Sequence, residues 1–363
     1  MIFDFAIVGA GIAGASIAAE LAPYATVALV EAEAHPGYHA TGRSAAFWEE
    51  TYGGPAIAPL TRASEAFLDE NGFLHRRGAI YVGRDIDRDA LDRHIAQHRP
   101  AGTRLQRLNR PALVSRLPRL KADWIDGIWQ PGCADIDVGG LHAYYLAIAR
   151  AKGAWLETGA RLTSIARSGG LWTLAAQDGR LYHAHQIIDA AGAWAREIAV
   201  LADVSPIPIA PYRRTVVQLR TSPAPPADMP LVLDIGGGFY FKPENGKLWL
   251  SPHDEAPSAP CDSAPEELAV AEAIARLETV MNWRVDHVER RWAGLRSFAP
   301  DRLPIYGRDP REPSFIWCAG QGGFGIQTAP AAASLLARQL IGGAGTVEVG
   351  TIDAETFSPA RFA

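Results

Sequence analysis

Little in this 363-residue sequence speaks for cross-links, metals or nucleic acid. It holds three cysteines, Cys133, Cys261 and Cys318, widely spaced and without a CxxC pair. Neither a disulfide framework nor a cysteine-built zinc site is expected, and a reducing compartment fits best. No metal is expected from the ten histidines either. No Lys/Arg block stands out and the net charge is −5, which disfavours nucleic acid as a partner. No apolar run is long enough to cross a bilayer. A charged n-region and a cleavage site are both absent from the first residues, so no signal peptide is expected. These absences suit a cytoplasmic protein, with peripheral docking at the inner face of a membrane left open. Internal repeats and long low-complexity linkers are also missing. What remains is 48% hydrophobic residues, ordinary for a substantial globular core, on a length that suits two intertwined domains or one large one.

The first thirty-one residues read strand, glycine turn, helix, strand, acid. Residues 3–8 are apolar, Gly9, Gly11 and Gly14 follow in GxGxxG spacing, residues 15–22 suit a helix, and residues 26–30 form a second apolar run ending in Glu31. This is the dinucleotide fingerprint in its full βαβ setting. Gly9 permits the tight turn, Gly11 lets the backbone approach a pyrophosphate, and Gly14 lets helix and strand pack closely. The helix start around Ile12 and Ala13 offers unpaired N–H groups and a positive dipole end to phosphates. Glu31, with Ala32 after it, stands where a carboxylate accepts hydrogen bonds from an adenosine ribose.

Further along, residues 55–71, 87–97, 141–151, 265–280 and 328–340 suit helices. Residues 79–82, 284–292 and 315–319 suit strands, and 207–251 is strand-rich. Four short alternating runs, at 154–156, 162–165, 171–175 and 180–183, suggest an antiparallel meander, with another strand at 186–189. The expected fold is α/β: a Rossmann-like nucleotide-binding domain interleaved with a β-rich substrate-binding domain. The nucleotide-binding domain is assigned to 1–78, 138–205 and 292–363, and the second domain to 79–137 and 206–291.

Four other stretches carry candidate chemistry. The loop 37–46 has small residues and Arg43, suited either to passing a pyrophosphate and flavin or to an ordinary surface turn. Residues 189–194 end a strand in Ala191, Gly192 and Trp194, a turn that lines a cofactor or simply starts a helix. Residues 292–298 end a strand with Arg296, whose guanidinium suits a carboxylate or a surface salt bridge. The turn 320–325, with four glycines before a helix, is a second helix-N-terminus site where something bulky approaches the backbone. Tyr52, Tyr240, Arg213 and Arg214 are polar residues in aromatic or apolar settings.

Taken together, these stretches resemble the D-amino acid oxidase superfamily of flavoproteins, and within it the bacterial D-arginine dehydrogenases. The shared segments are 7–21, 36–46, 134–137, 190–194, 238–243, 292–298 and 320–328. The resemblance implies non-covalent FAD. Its ADP part would lie at Gly9–Gly14, Glu31 and Ala32, with Leu162, Ala191, Gly192 and Trp194 alongside. Its ring would lie near Arg43, Ser44, Ala45 and Ala46, Gly294 and Arg296, and Gly322, Gly323, Phe324, Gly325, Ile326 and Gln327. It also implies substrate roles: Arg296 with Arg213 beside it on an α-carboxylate, Tyr240 donating to the same group, Tyr52 on a loop over the pocket, the Gly323 carbonyl on the amine, and Gln327 at the flavin pyrimidine end.

The implied activity is oxidation of the CH–NH2 group of an amino acid, of D configuration, by hydride transfer to flavin N5. The imine then hydrolyses to a 2-oxo acid and ammonia. Two positions depart from D-arginine dehydrogenases: Phe47 stands in place of a histidine, and Ala79 in place of a glutamate that holds the substrate guanidinium. Without Glu49 or Glu50 turned inward, the expected substrates are neutral or aromatic. The rival donors are a 2-hydroxy acid or a secondary amine such as sarcosine. A flavin subunit that only shuttles electrons is the other rival. The sequence does not say whether the electron acceptor is oxygen, a quinone or something else.

Overall fold

Strands Val27–Val30 and Phe315–Ala319 have no exposed face, and residues 5–8 and 187–189 are equally covered. Strands that are apolar on both sides belong inside a sheet flanked by helices, and they lie there. The computed structural model describes residues 1–343 and 345–363. In it Ile2–Val8 runs parallel to Val27–Val30 on one side and to Leu181–Asp189 on the other. Phe315–Ala319 extends the sheet beyond Leu181–Asp189, and Trp155–Glu157 extends it beyond Val27–Val30. One face of this eight-stranded sheet buries helices Ile12–Leu21, Val138–Ala151 and Gly325–Ile341, and the other buries helix Ala195–Leu201.

Several boundaries differ from the sequence expectation for local reasons. Trp155–Glu157 is not part of the antiparallel meander; it pairs parallel with Val27–Val30. The runs at 180–183 and 186–189 form a single strand, Leu181–Asp189, antiparallel to Leu171–Ala176 at its start and parallel to two neighbours at its end. Helix Val138–Ala151 starts earlier than expected because the Asp137 side chain caps the Gly140 N–H at 2.9 Å. Helix Gly325–Ile341 also starts early, inside the glycine turn.

The second body is a nine-stranded sheet. Its longest members, Ala210–Ser222 and Arg284–Phe298, pair antiparallel from Ala210 opposite Phe298 to Ser222 opposite Arg284. The boundary drawn at 292 therefore falls within one continuous strand. A three-stranded sheet of Phe47–Trp48, Leu74–Arg76 and Ala134–Ile136 lies in the segments that connect the two large sheets.

Among the described residues no helix is long and apolar enough to cross a membrane, and no group of three His, Cys, Asp or Glu residues could hold a metal ion. Two histidine pairs do have a spacing that metals can use, His94 with His98 and His183 with His185. The first pair packs with tilted rings 4.9 Å apart beside Tyr81, and His183 Nδ1 bonds the Thr173 hydroxyl at 3.0 Å. All three cysteines are unpaired.

Candidate active site

A continuous cavity of about 440 Å³ runs from the fingerprint turn to the inner end of the long strand pair. Its nucleotide end is built mainly of backbone. Gly9 has φ +97°, and a Cβ there would press into the Ala190 carbonyl. A Cβ on Gly14 would overlap the Gly9 carbonyl, so this crossing of helix and strand tolerates only glycine. Helix Ile12–Leu21 has no side-chain cap and no acid in its first turn, which leaves its start suited to an anion. The Ile12 N–H is held by the Thr41 hydroxyl at 3.0 Å. Glu31 accepts from the Ala10 N–H at 2.7 Å and from the Glu33 N–H at 2.9 Å, which fixes its carboxylate at the cavity edge. Opposite it, His142 Nε2 lies 2.8 Å from the Ala10 carbonyl. Glycines without room for a side chain, a bare helix start and a fixed acid fit an adenine dinucleotide.

The other end is built of side chains. Arg296 and Gly294 stand on one face of strand Arg284–Phe298, and Tyr212 and Arg214 lie directly opposite them on the partner strand. Directly opposed residues in an antiparallel pair share a face. Arg214 therefore faces the cavity with Arg296, whereas Arg213 opposes Leu295 and turns the other way to pair with Glu266. This corrects the expectation for Arg213: a one-residue step along a strand changes faces. Arg214 donates from Nε to the Asp254 carbonyl at 2.7 Å and from Nη2 to Glu255 at 3.1 Å, and its buried Nη1 has no partner. Arg296 Nη1 donates to the Tyr52 hydroxyl at 2.6 Å. The Gly322 N–H donates to the Ser297 carbonyl at 2.8 Å, which ties the glycine turn to this strand end. A Cβ on Gly323 would overlap both Tyr52 Oη and Arg296 Nη1.

The cavity wall includes Gly9, Gly11, Ile12, Ala13, Glu31, Ala32, Arg43, Ser44, Ala45, Leu162, Ala191, Gly192, Trp194, Tyr240, Gly294, Arg296, Gly322, Gly323, Gly325 and Ile326. Gly14, Ala46, Phe47, Phe324 and Gln327 stand behind it, while the Tyr52 hydroxyl meets the wall at Arg296 and Gly323. Phe47 packs on Tyr52 at 5.7 Å and on Tyr240 at 5.6 Å. Gln327 Oε1 accepts from the Glu49 N–H at 3.2 Å, and its Nε2 donates to the Thr61 hydroxyl at 2.9 Å. Arg43 is taken up by protein: it bonds the Ser263 and Ala293 carbonyls and Asp262. Neither Glu49 nor Glu50 lines the cavity. Glu50 holds Arg62 and Thr103, both at its Oε1, while Glu49 holds Thr51 and Tyr81.

The electrostatics of the side-chain end are those of buried positive charge. Burial works against the Arg296 guanidinium, but the Tyr52 and Tyr240 hydroxyls and Glu255 together hold its pKa above the usual range. Burial and then Arg296 push Arg214 downward. Burial, with Arg214 and Arg296 nearby, pushes His253 down to about 3, so its ring is neutral. Its Nδ1 lies 2.7 Å from the Gly237 carbonyl.

Arg214 was not singled out over Arg213 because adjacent arginines look alike until strand register is known. Alternation gives no help, since Val216 on the Arg214 face and Val217 on the Arg213 face are both buried. Thr41 and His142, which brace the fingerprint turn, have no local signal at all. Their bonds span 29 and 132 residues of chain.

Comparisons with known proteins give the family and the fold. The family model for FAD dependent oxidoreductases (DAO) matches residues 4–339. Glycine oxidase of Geobacillus kaustophilus is 24% identical over 353 residues, 92% of each chain, and its crystal structure superposes with a TM-score of 0.83 at 22% identity over 97% of this chain and 98% of that one. The structure of L-proline dehydrogenase from P. horikoshii superposes with a TM-score of 0.86 at 21% identity, covering 99% of this chain and 98% of that one. Hydrogen cyanide synthase subunit HcnC of Pseudomonas aeruginosa is 26% identical over 220 residues, 60% of this chain and 50% of that protein. The chain's matches to this and the other leading curated relatives span half or less of their length. The fold is that of a flavoprotein oxidoreductase. The chain belongs to the DAO family of FAD-dependent oxidoreductases, and FAD is its cofactor.

Proposed function

We propose that the protein oxidises the Cα–N bond of a small amino acid, of D configuration where that carbon is chiral, to an imine that water converts to a 2-oxo acid and ammonia. FAD, when bound without a covalent link, would accept the hydride, which carries both electrons of the oxidation, while the amine gives up one proton as the imine forms. We read residues 1–78, 138–205 and 292–363 as the body that holds it, and 79–137 with 206–291 as the body that holds the substrate. The observation that carries this reading is the pair of guanidiniums, buried Arg214 and half-buried Arg296, meeting the Tyr240 side chain at one cavity wall.

A guanidinium offers two parallel N–H donors that match the two oxygens of a carboxylate. The Tyr52 hydroxyl accepts from Arg296, so its own proton is free to donate to the same carboxylate. The Gly323 carbonyl is the acceptor for the amine. Two positive charges close to an ammonium lower its pKa and favour the neutral amine from which hydride leaves. The substrate side chain would be neutral: Ala79 is fully buried and both nearby glutamates are already engaged, so a cationic group would lie unpaired.

Arg296→Ala tests this reading. It should weaken amino acid binding by about 2–5 kcal/mol while flavin stays bound; unchanged substrate affinity would remove Arg296 from the role. Anaerobic flavin reduction by paired D and L amino acids, glycine, secondary amines and 2-hydroxy acids identifies the donor. Secondary amines belong in the panel because L-proline dehydrogenase is a structural neighbour. Failure of every donor would favour an electron-transfer subunit.

A further inference from the structure

The turn that carries Tyr52 is anchored by a buried acid that has no cationic partner among the described residues. Glu49 is fully buried. Its carboxyl accepts from the Thr51 hydroxyl at 2.7 Å and from the Tyr81 hydroxyl at 2.9 Å, and those two hydroxyls lie 3.0 Å apart. Its carbonyl accepts the Tyr52 N–H at 3.1 Å, closing the turn. Gln327, from the helix that follows the Gly323 turn, accepts from the Glu49 N–H, so the same residue that fixes the acid also fixes the turn to the cavity wall. Tyr81 and Cys133, its neighbours on other elements, belong to an apolar cluster with Phe47, Ala79 and Tyr240.

Resting on the carboxylate-clamp reading above, we propose that Glu49 is a positioning residue whose proton controls the clamp: neutral Glu49 holds turn 49–52 so that Tyr52 completes the grip of Arg296, and ionised Glu49 loosens it. Two effects act in the same direction. An unpaired carboxylate in apolar surroundings draws the turn toward water. Its charge also repels the substrate carboxylate across the Tyr52 side chain.

The groups facing Glu49 favour the neutral form. Burial, with Glu50 adding a like charge, raises it to about 7, against the bonds from Thr51 and Tyr81. Tyr81 and Cys133 are themselves pushed well up by burial and stay neutral. His94, packed at a tilt against Tyr81, is pushed by burial down to about 4 and carries no charge in the neutral range. The nearest cations on the Cys133 side, Lys242 and Arg77, are spent on Asp135.

The test uses the FAD-loaded protein and acetate, with benzoate as a larger second probe. Both are carboxylates without an amine and are ionised throughout the range. Binding is followed by the change in flavin absorbance. Where only the neutral form of Glu49 binds, the dissociation constant rises about tenfold between pH 6 and pH 8 around a pKa near 7. Glu49→Gln should bind tightly at both ends with a flat profile. Tyr81→Phe removes one donor to the carboxylate and should move the inflection upward. A flat parent profile overturns the proposal, as does an unchanged slope in Glu49→Gln. If Glu49→Gln does not fold, an unmoved inflection in Tyr81→Phe overturns it. Absence of binding by either probe at every pH in the parent would instead overturn the carboxylate clamp itself.

Discussion

The two ends of one cavity are built from different materials. At the nucleotide end, backbone from residues 9–14 and an acid only seventeen residues past Gly14 make the cradle, and the chain between them is one βαβ unit. At the substrate end, side chains from positions 52, 214, 240 and 296 converge from four segments, and none is near another in sequence. A backbone cradle needs local spacing. A side-chain clamp needs long-range register, and register is decided by the pairing of whole strands.

The largest expected effect tests the backbone side of this contrast. Gly14→Leu places a side chain where the Gly9 carbonyl sits. Overpacking of this kind costs about 1–3 kcal/mol or more, and flavin should be lost, as read from the ratio of flavin to protein absorbance. Full flavin content in this variant would show that the cradle is adaptable.

The side-chain end predicts a large difference between neighbouring arginines. Arg214→Met should raise KM for the substrate by about tenfold or more, by loss of a buried charged donor worth about 1.5–3 kcal/mol. Arg213→Met should change both KM and stability by no more than about 1 kcal/mol, since it loses a pair whose acidic partner is largely exposed. Equal effects from the two variants would overturn the assignment of faces.

A further expected effect concerns pH. Burial pushes Asp189, at the end of the central strand, up to about 8, and its Oδ2 has no partner. The native state therefore keeps a proton that the unfolded chain releases near pH 4. Its contribution to stability is fully present below that point and is lost as pH rises through about 8, by no more than about 1.4 kcal/mol per pH unit. Thermal unfolding should show a flatter decline between pH 5 and pH 8 for Asp189→Asn than for the parent.

The same contrast explains what could be read in advance. The fingerprint, the interleaved α/β plan and the glycine turn at 320–325 were legible because each is a short pattern with a local physical reason. Arg296 and Tyr240 stood out locally as polar residues, but a shared role for them came only through resemblance. Arg214 was hidden because nothing local distinguishes it from Arg213. The parallel partner of Trp155–Glu157 was hidden for a related reason: a three-residue strand does not announce whether its neighbour lies next in sequence or far behind it. Glu49 was visible as an acid near the site, but whether it faced a ligand or a tyrosine depended on the path of a turn.

The central strand Leu181–Asp189 gains one of its parallel neighbours only when Phe315–Ala319 arrives, and the helix that closes the cavity follows directly after that. While the chain is still emerging from the ribosome, the fingerprint is exposed early but its opposite wall does not exist. Capture of the yellow cofactor thus waits until the segment from Phe315 through the helix Gly325–Ile341 has been made.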